Sequence, residues 1–206
     1  MKARAPSYAP YSTYLPAETV LDATQLSSAA SLQKGNFTKA FSNAALHWIL
    51  REPSTRQSVF DAAAKAIRPG GTFALEMGGL GNVSEMRTAL LLAVSRRAEG
   101  GLPAALAADP WFFPDESWIS GALEAAGFRV DKVEREWRPT AAGDGGVEGW
   151  VRLFGKQVLD VLGDEGSTVR EEAVKEVAGV LNFVADNPGG GQMISYVRLR
   201  ALATKL

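Results

Sequence analysis

The chain has 206 residues, with Lys plus Arg at 22, Asp plus Glu at 23 and a formal net charge of -1. Hydrophobic residues at 46% and charged residues at 22% supply enough apolar material for a sizeable core, in one domain or slightly more. So even a charge balance gathers no phosphates, which argues against nucleic acid as a partner. Cys is absent and His47 is the single histidine, so disulfides, thiolate nucleophiles and multi-histidine metal sites within one chain fall away and no metal is expected.

Residues 1–19 read as an extended, Tyr/Pro-rich leader in which Tyr8, Tyr11 and Tyr14 alternate with Pro6, Pro10 and Pro16. It would serve as a loose arm or as a strap over an apolar face. It has no apolar h-region, and no run in the chain approaches the ~18 apolar residues of a membrane span. The expectation is a cytoplasmic protein with no membrane partner, its domain running from residue 20 to 206.

Along that domain, Phe37–Phe41 alternates as a short strand, and Asn43 to Leu50 reads as a turn of helix carrying Leu46, Trp48 and Ile49. Ser54 or Thr55 can cap a helix running to about Ile67, stopped by Arg68-Pro69-Gly70-Gly71. Thr72–Met77 is a mostly apolar strand, followed by the glycine loop Gly78–Asn82 and a helix from about Val83 to Arg97. Gly100–Pro114 reads as loop around Trp111-Phe112-Phe113. Asp115 opens a helix through Ala126, closed by Gly127. Phe128–Trp137 alternates with period two, as a strand with one solvated face does. Helices follow at about Val147–Leu162 and Thr168–Ala185, then the turn Asn187–Gly191 and a strand Met193–Leu199. This order predicts an α/β layer architecture.

His47 is the one side chain that titrates near neutrality, so it is a candidate acid–base group, or else a packed core histidine. Glu76 closes a buried strand, where open α/β sheets bind ligands; it is either catalytic or bridged to an arginine such as Arg87. Trp48 could stack on a ligand. Asn82 reads first as a helix cap and then as a substrate contact. Three adjacent aromatics, Trp111 to Phe113, cannot all face one core, so at least one is expected to face a ligand or the leader. Tyr196 could donate into a pocket. Trp118, Trp137 and Trp150 read as packing. Gly79-Leu80-Gly81 opens a helix as a phosphate loop does, but it has no third glycine at the expected spacing, so dinucleotide binding is not expected.

Phe41-Ser42-Asn43-Ala44-Ala45-Leu46-His47-Trp48, Ile67-Arg68-Pro69-Gly70-Gly71 with its strand, Glu76–Val83, Trp111–Pro114 and Leu123–Phe128 together resemble class I S-adenosylmethionine-dependent methyltransferases. The nearest flavour is the trans-aconitate methyltransferase-like group, which methylates small-molecule acids. The resemblance covers roughly Val20 onward. It implies a partial Rossmann-like sheet with helices on both faces, S-adenosylmethionine as cofactor and a small-molecule substrate. It places Asp22 and Ala23 against the adenine and Ser42, Asn43 and Ala44 beneath the methionine. His47 and Glu76 would be catalytic; Trp48, Gly78, Asn82, Trp111, Phe112 and Tyr196 would contact substrate. The chain departs from the family in having no Gly before Gly35, so the glycine-rich cradle and ribose acid have no counterpart and the first strands are expected to be missing.

The expected activity is methyl transfer to a carboxylate or hydroxyl of a small metabolite. Two alternatives stay open: a cofactor-independent cyclase or isomerase on an apolar metabolite, or a non-catalytic partner of a full-length homologue. An unpaired sheet edge would also favour a homodimer.

Overall fold

A computed structural model describes residues 21–206; the leader, with Tyr8, Tyr11 and Tyr14, lies outside the described residues. Strand β1 (Phe37–Asn43) runs parallel to β2 (Ile67–Gly78), joined by a short helix α1 (Leu46–Ile49) and by α2 (Arg56–Ala66). Strand β4 (Met193–Lys205) lies antiparallel between β2 and β3 (Phe128–Ala141), giving the sheet order β1-β2-β4-β3.

Side-chain alternation divides the sheet into two faces. Phe73, Leu75 and Met77 of β2 and Leu199, Ala201 and Ala203 of β4 point to one face. There they pack with Phe60 and Ala63 of α2 and with Ile119 and Leu123 of α5 (Glu116–Ala125). Helix α5 begins where the Asp115 carboxylate accepts the Trp118 N–H at 2.8 Å, satisfying an amide that the helix cannot. Ile194 lies five residues before Leu199 and so on the opposite face. It is buried under α3 (Ser84–Ser95), α6 (Gly146–Phe154) and α8 (Thr168–Ala185), with Leu90, Val94, Val151, Val174 and Leu181. Helices therefore flank both faces, as expected. Each fully buried large side chain in these two cores contributes about 1.5–3 kcal/mol.

Part of the second face stays open, with Phe41 75% and Leu202 41% exposed. A groove of about 490 Å³ lies there, and an ion-pair ladder crosses it: Glu76 accepts from Arg200 Nε at 2.5 Å, and Arg200 reaches Glu136 at 2.6 Å.

Several boundaries differ from the sequence reading. A helix α4 (Gly101–Ala108) stands where a loop was expected, because Pro103 falls in its first turn, where a missing N–H does no harm. Arg68-Pro69-Gly70-Gly71 belongs to β2, inside a register shift between Phe37↔Ile67 and Lys39↔Thr72. A Cβ on Gly71 would sit 2.8 Å from the Thr38 carbonyl oxygen, so only glycine allows that approach. The expected helix 147–162 is divided at Gly155 into α6, α7 (Lys156–Leu159) and a 3-10 turn. Thr55 stands at the N-cap of α2, but its hydroxyl donates to the Ile49 and Glu52 carbonyls instead of capping. The last two strands run on to Ala141 and Lys205 because they pair with each other along nearly their whole length.

Candidate functional site

At the end of β1 the chain turns sharply. Ala44 adopts φ +52° and donates its N–H to the Glu76 carbonyl at 2.9 Å, and α1 follows with His47 and Trp48. After β2, the loop from Gly78 is stitched to β4. Gly79 N–H donates to Val197 O at 3.0 Å, Val83 N–H donates to Ser195 O at 3.0 Å, and the Asn82 side-chain carbonyl accepts Val197 N–H at 2.8 Å. Asn82 is thus no helix cap; the N-cap of α3 is Val83, at φ +46°. The aromatic segment is fixed from a third side, with Phe112 N–H on the His47 carbonyl at 2.9 Å and Leu80 N–H on that of Pro114 at 2.9 Å.

These three segments, with α6 and β4, enclose a cavity of about 170 Å³. Its walls are the rings of Trp48, Trp111, Phe113, Trp150, Phe154 and Tyr196; His47, Asn82 and Arg198 bring the polar atoms, and Ala44 and Val83 complete it. The volume is below the ~300–1,000 Å³ of drug-sized sites, so the fitting ligand is small. Ala44 and Val83 are the non-glycine residues recorded at positive φ among the described residues, and both line it. A β-branched residue such as Val83 in that region costs about 1–3 kcal/mol, a strain that accumulates at binding sites.

The cavity wall carries several donors and no carboxylate. His47 Nδ1 accepts the Gly78 N–H at 3.2 Å, so in the neutral ring the proton sits on Nε2. Burial, and secondarily the nearby Arg198 charge, pushes the His47 pKa down to about 4, which keeps the ring neutral at pH 7. Trp150 Nε1 donates to the Tyr196 hydroxyl at 2.6 Å, leaving that hydroxyl's own proton to donate elsewhere. Arg198 stacks over the Tyr196 ring at 4.7 Å. Its Nε is buried without a hydrogen-bond partner, and Glu76 Oε1 is 3.9 Å away, beyond hydrogen-bond length.

Of the residues singled out in the sequence, Ala44, His47, Trp48, Asn82, Trp111 and Tyr196 come together in this cavity. Gly78 supports it from behind: a Cβ there would stand 2.6 Å from the Phe113 ring and 2.7 Å from Asn82 Nδ2. Phe112 does not line it. Its ring turns to the other core, edge-on to Trp118 at 4.9 Å and under the Arg56 guanidinium, so the ligand-facing aromatic neighbour is Phe113. Glu76 points to the open groove and is paired with Arg200; Arg87 instead pairs with Asp109. Asn43 lines that groove too, beside Phe41, with Ser42 one position earlier on β1. Asp22 and Ala23 stand at a 3-10 turn (Ala23–Ser28) that packs on α2. Sequence reasoning missed Trp150, Phe154, Val83 and Arg198 as cavity residues. The available signals were the i, i+4 spacing of Trp150 and Phe154 on one helix and the i, i+2 spacing of Tyr196 and Arg198 on one strand face.

Two of the positions expected to meet S-adenosylmethionine carry groups of matching chemistry. The Asp22 carboxylate is exposed, and the Thr24 amide and hydroxyl hold it below the usual carboxylate range through Oδ1. Oδ2 is thereby left as an acceptor for an amino group. Ala44 sits on the cavity wall one residue beyond Asn43, so a group resting on Ser42-Asn43-Ala44 would adjoin the cavity. Among the described residues no cluster of three or more His, Asp or Glu is placed to hold a metal ion, and no helix is long and apolar enough to cross a membrane.

No family model matches the chain. An uncharacterized methyltransferase of Schizosaccharomyces pombe is 33% identical over 195 residues, covering 93% of this chain and 69% of that protein. A trans-aconitate 2-methyltransferase of Streptomyces coelicolor is 31% identical over 165 residues, covering 80% of this chain; the chain spans 52% of its length. Among solved structures, a SAM-dependent methyltransferase from Methanosarcina mazei superposes with a TM-score of 0.48 at 11% identity, over 91% of this chain and 66% of that one. The [4+2]-cyclase SpnF superposes with a TM-score of 0.41 at 14% identity, over 91% and 54%. The chain belongs to a methyltransferase family, and its described residues form a four-stranded mixed sheet with helices on both faces.

Proposed function

We propose that the chain serves a small-molecule methyltransferase whose acceptor lies in the aromatic cavity and receives the methyl group on a carboxylate oxygen. The observation that carries this reading is that the cavity wall holds donors, one of them a guanidinium, and no carboxylate. His47 has Nδ1 occupied and is held neutral, so it donates a hydrogen bond and is not placed to remove a proton. A hydroxyl acceptor would need a base, whereas a carboxylate is already anionic and needs none. Glu76, the other candidate base, is engaged by Arg200 in the open groove.

When bound, S-adenosylmethionine would supply an electrophilic methyl group to a carboxylate oxygen and leave as the neutral thioether. The chain's own contribution is positioning: rigid rings fix the acceptor's body, and donors orient its charged end. Asp22 would hold the adenine amino group and Ser42-Asn43-Ala44 would floor the methionine.

Calorimetric titration with S-adenosylmethionine and S-adenosylhomocysteine tests this reading. Micromolar binding, about -8 kcal/mol, is the expected result; no binding at millimolar cofactor would overturn it. The preformed, strained aromatic box would equally hold an apolar substrate in a reactive shape, and a cofactor-independent cyclase or isomerase is the reading that such a negative result would favour.

A further inference from the structure

Two arginines stand two residues apart on the same face of β4, and their surroundings differ. Arg200 is saturated: Glu76 and Glu136 accept from it at 2.5 and 2.6 Å, and Glu134 stands at 3.7 Å. Arg198 has only the distant Glu76 oxygen at 3.9 Å, and its buried Nε makes no hydrogen bond. The Arg198 side chain is 21% exposed, and a buried N–H left without a partner is costly to keep. Arg198 is also the one formal charge on the cavity wall among the described residues, where Asn82 uses its carbonyl on Val197 and has no bond recorded from its amide protons.

We infer that Arg198 is the specificity-determining residue of this cavity, and that with the Asn82 amide and the Tyr196 hydroxyl it grips the single carboxylate of a small acid whose remaining body is apolar and about one ring in size. The inference rests on the cavity being the acceptor pocket of the proposed methyltransferase, and it narrows the substrate class. One guanidinium neutralises one carboxylate. The remaining wall is aromatic, so a second or third carboxylate would be desolvated against ring faces with no countercharge. A tricarboxylate such as trans-aconitate, the substrate named for the Streptomyces relative, is therefore the wrong chemistry for this pocket. The size agrees, since about 170 Å³ lies below the range of drug-sized sites.

The test is a titration of tryptophan fluorescence, reported by Trp48, Trp111 and Trp150 in the wall, with phenylacetate, phenylacetamide and trans-aconitate at constant ionic strength. It uses the wild-type chain, Arg198→Met and Arg198→Lys. The wild type should bind phenylacetate more tightly than trans-aconitate. Arg198→Met should lose phenylacetate affinity by about tenfold or more and phenylacetamide affinity by much less, which separates a lost charge pair from a collapsed cavity. Arg198→Lys should recover part of the loss. Stronger binding of trans-aconitate, no phenylacetate binding by the wild type, or equal phenylacetate binding by wild type and Arg198→Met would each overturn the inference. No cofactor takes part, so cofactor binding without acid binding would sink this inference alone, and acid binding without cofactor binding would sink the methyltransferase reading alone.

Discussion

The Gly78 amide donates to His47 Nδ1 across 3.2 Å, joining the end of β2 to α1 behind the cavity. This one contact fixes the tautomer of the chain's single histidine. It also makes the glycine a structural part of the binding wall, since the same residue leaves room for Phe113 and Asn82.

The depressed pKa of His47 has a sign that can be measured. The unfolded imidazole takes its proton near pH 6.5, the folded one near pH 4. Between these values the unfolded chain binds more protons, so stability rises with pH across the window and levels off above it. Acidification through the window should cost up to about 1.4 kcal/mol per pH unit. Urea denaturation at pH 7 and pH 5 should show a larger loss for the wild type than for His47→Gln; equal losses would mean the ring is not held neutral by burial.

Substituting Gly78→Ala should disturb stability and binding together. Its Cβ would collide with the Phe113 ring and Asn82, and such overpacking typically costs about 1–3 kcal/mol. Denaturant melts should register that loss, and phenylacetate binding should weaken more than that of an Ala substitution at the open position Gly121.

Tyr196→Phe removes the partner of the Trp150 indole N–H. A buried donor left unmade costs about 1–3 kcal/mol, so the variant should melt at lower urea with an unchanged m-value. An unchanged midpoint would show that the 2.6 Å bond contributes nothing net.

Ala44→Gly should behave opposite to the usual rule for glycine. Ala44 is exposed and at φ +52°, so removing its Cβ relieves left-handed strain of about 1–2 kcal/mol against a smaller entropic cost. Equilibrium denaturation should show a gain of up to about 1 kcal/mol, and a loss of stability would contradict the strain assignment.

Much of the fold was legible because its signals are local. The period-two pattern of Phe128–Trp137 and the Asp115 cap with Gly127 stop translated directly into β3 and α5. Helix α4 was not legible, because Gly100, Gly101 and Pro103 are breakers on average but harmless at a first turn. His47, Trp48, Asn82, Trp111 and Tyr196 converge in the cavity. The choice between Phe112 and Phe113 depends on how the backbone from Asp109 onward is tied to His47 and Leu80, a long-range fact no window of sequence contains. Arg198 and Arg200 look alike in sequence. What separates them is the carboxylates supplied by β2 and β3, which only the sheet order β1-β2-β4-β3 brings to Arg200.

The most direct test of the account is to incubate the purified chain with methyl-labelled S-adenosylmethionine and a panel of one-ring carboxylic acids beside their primary amides, then follow label into extracted products. The account predicts label in methyl esters of the acids and none in the amides. Label in no product while the cofactor is calorimetrically bound, or equal label in acids and amides, would contradict it.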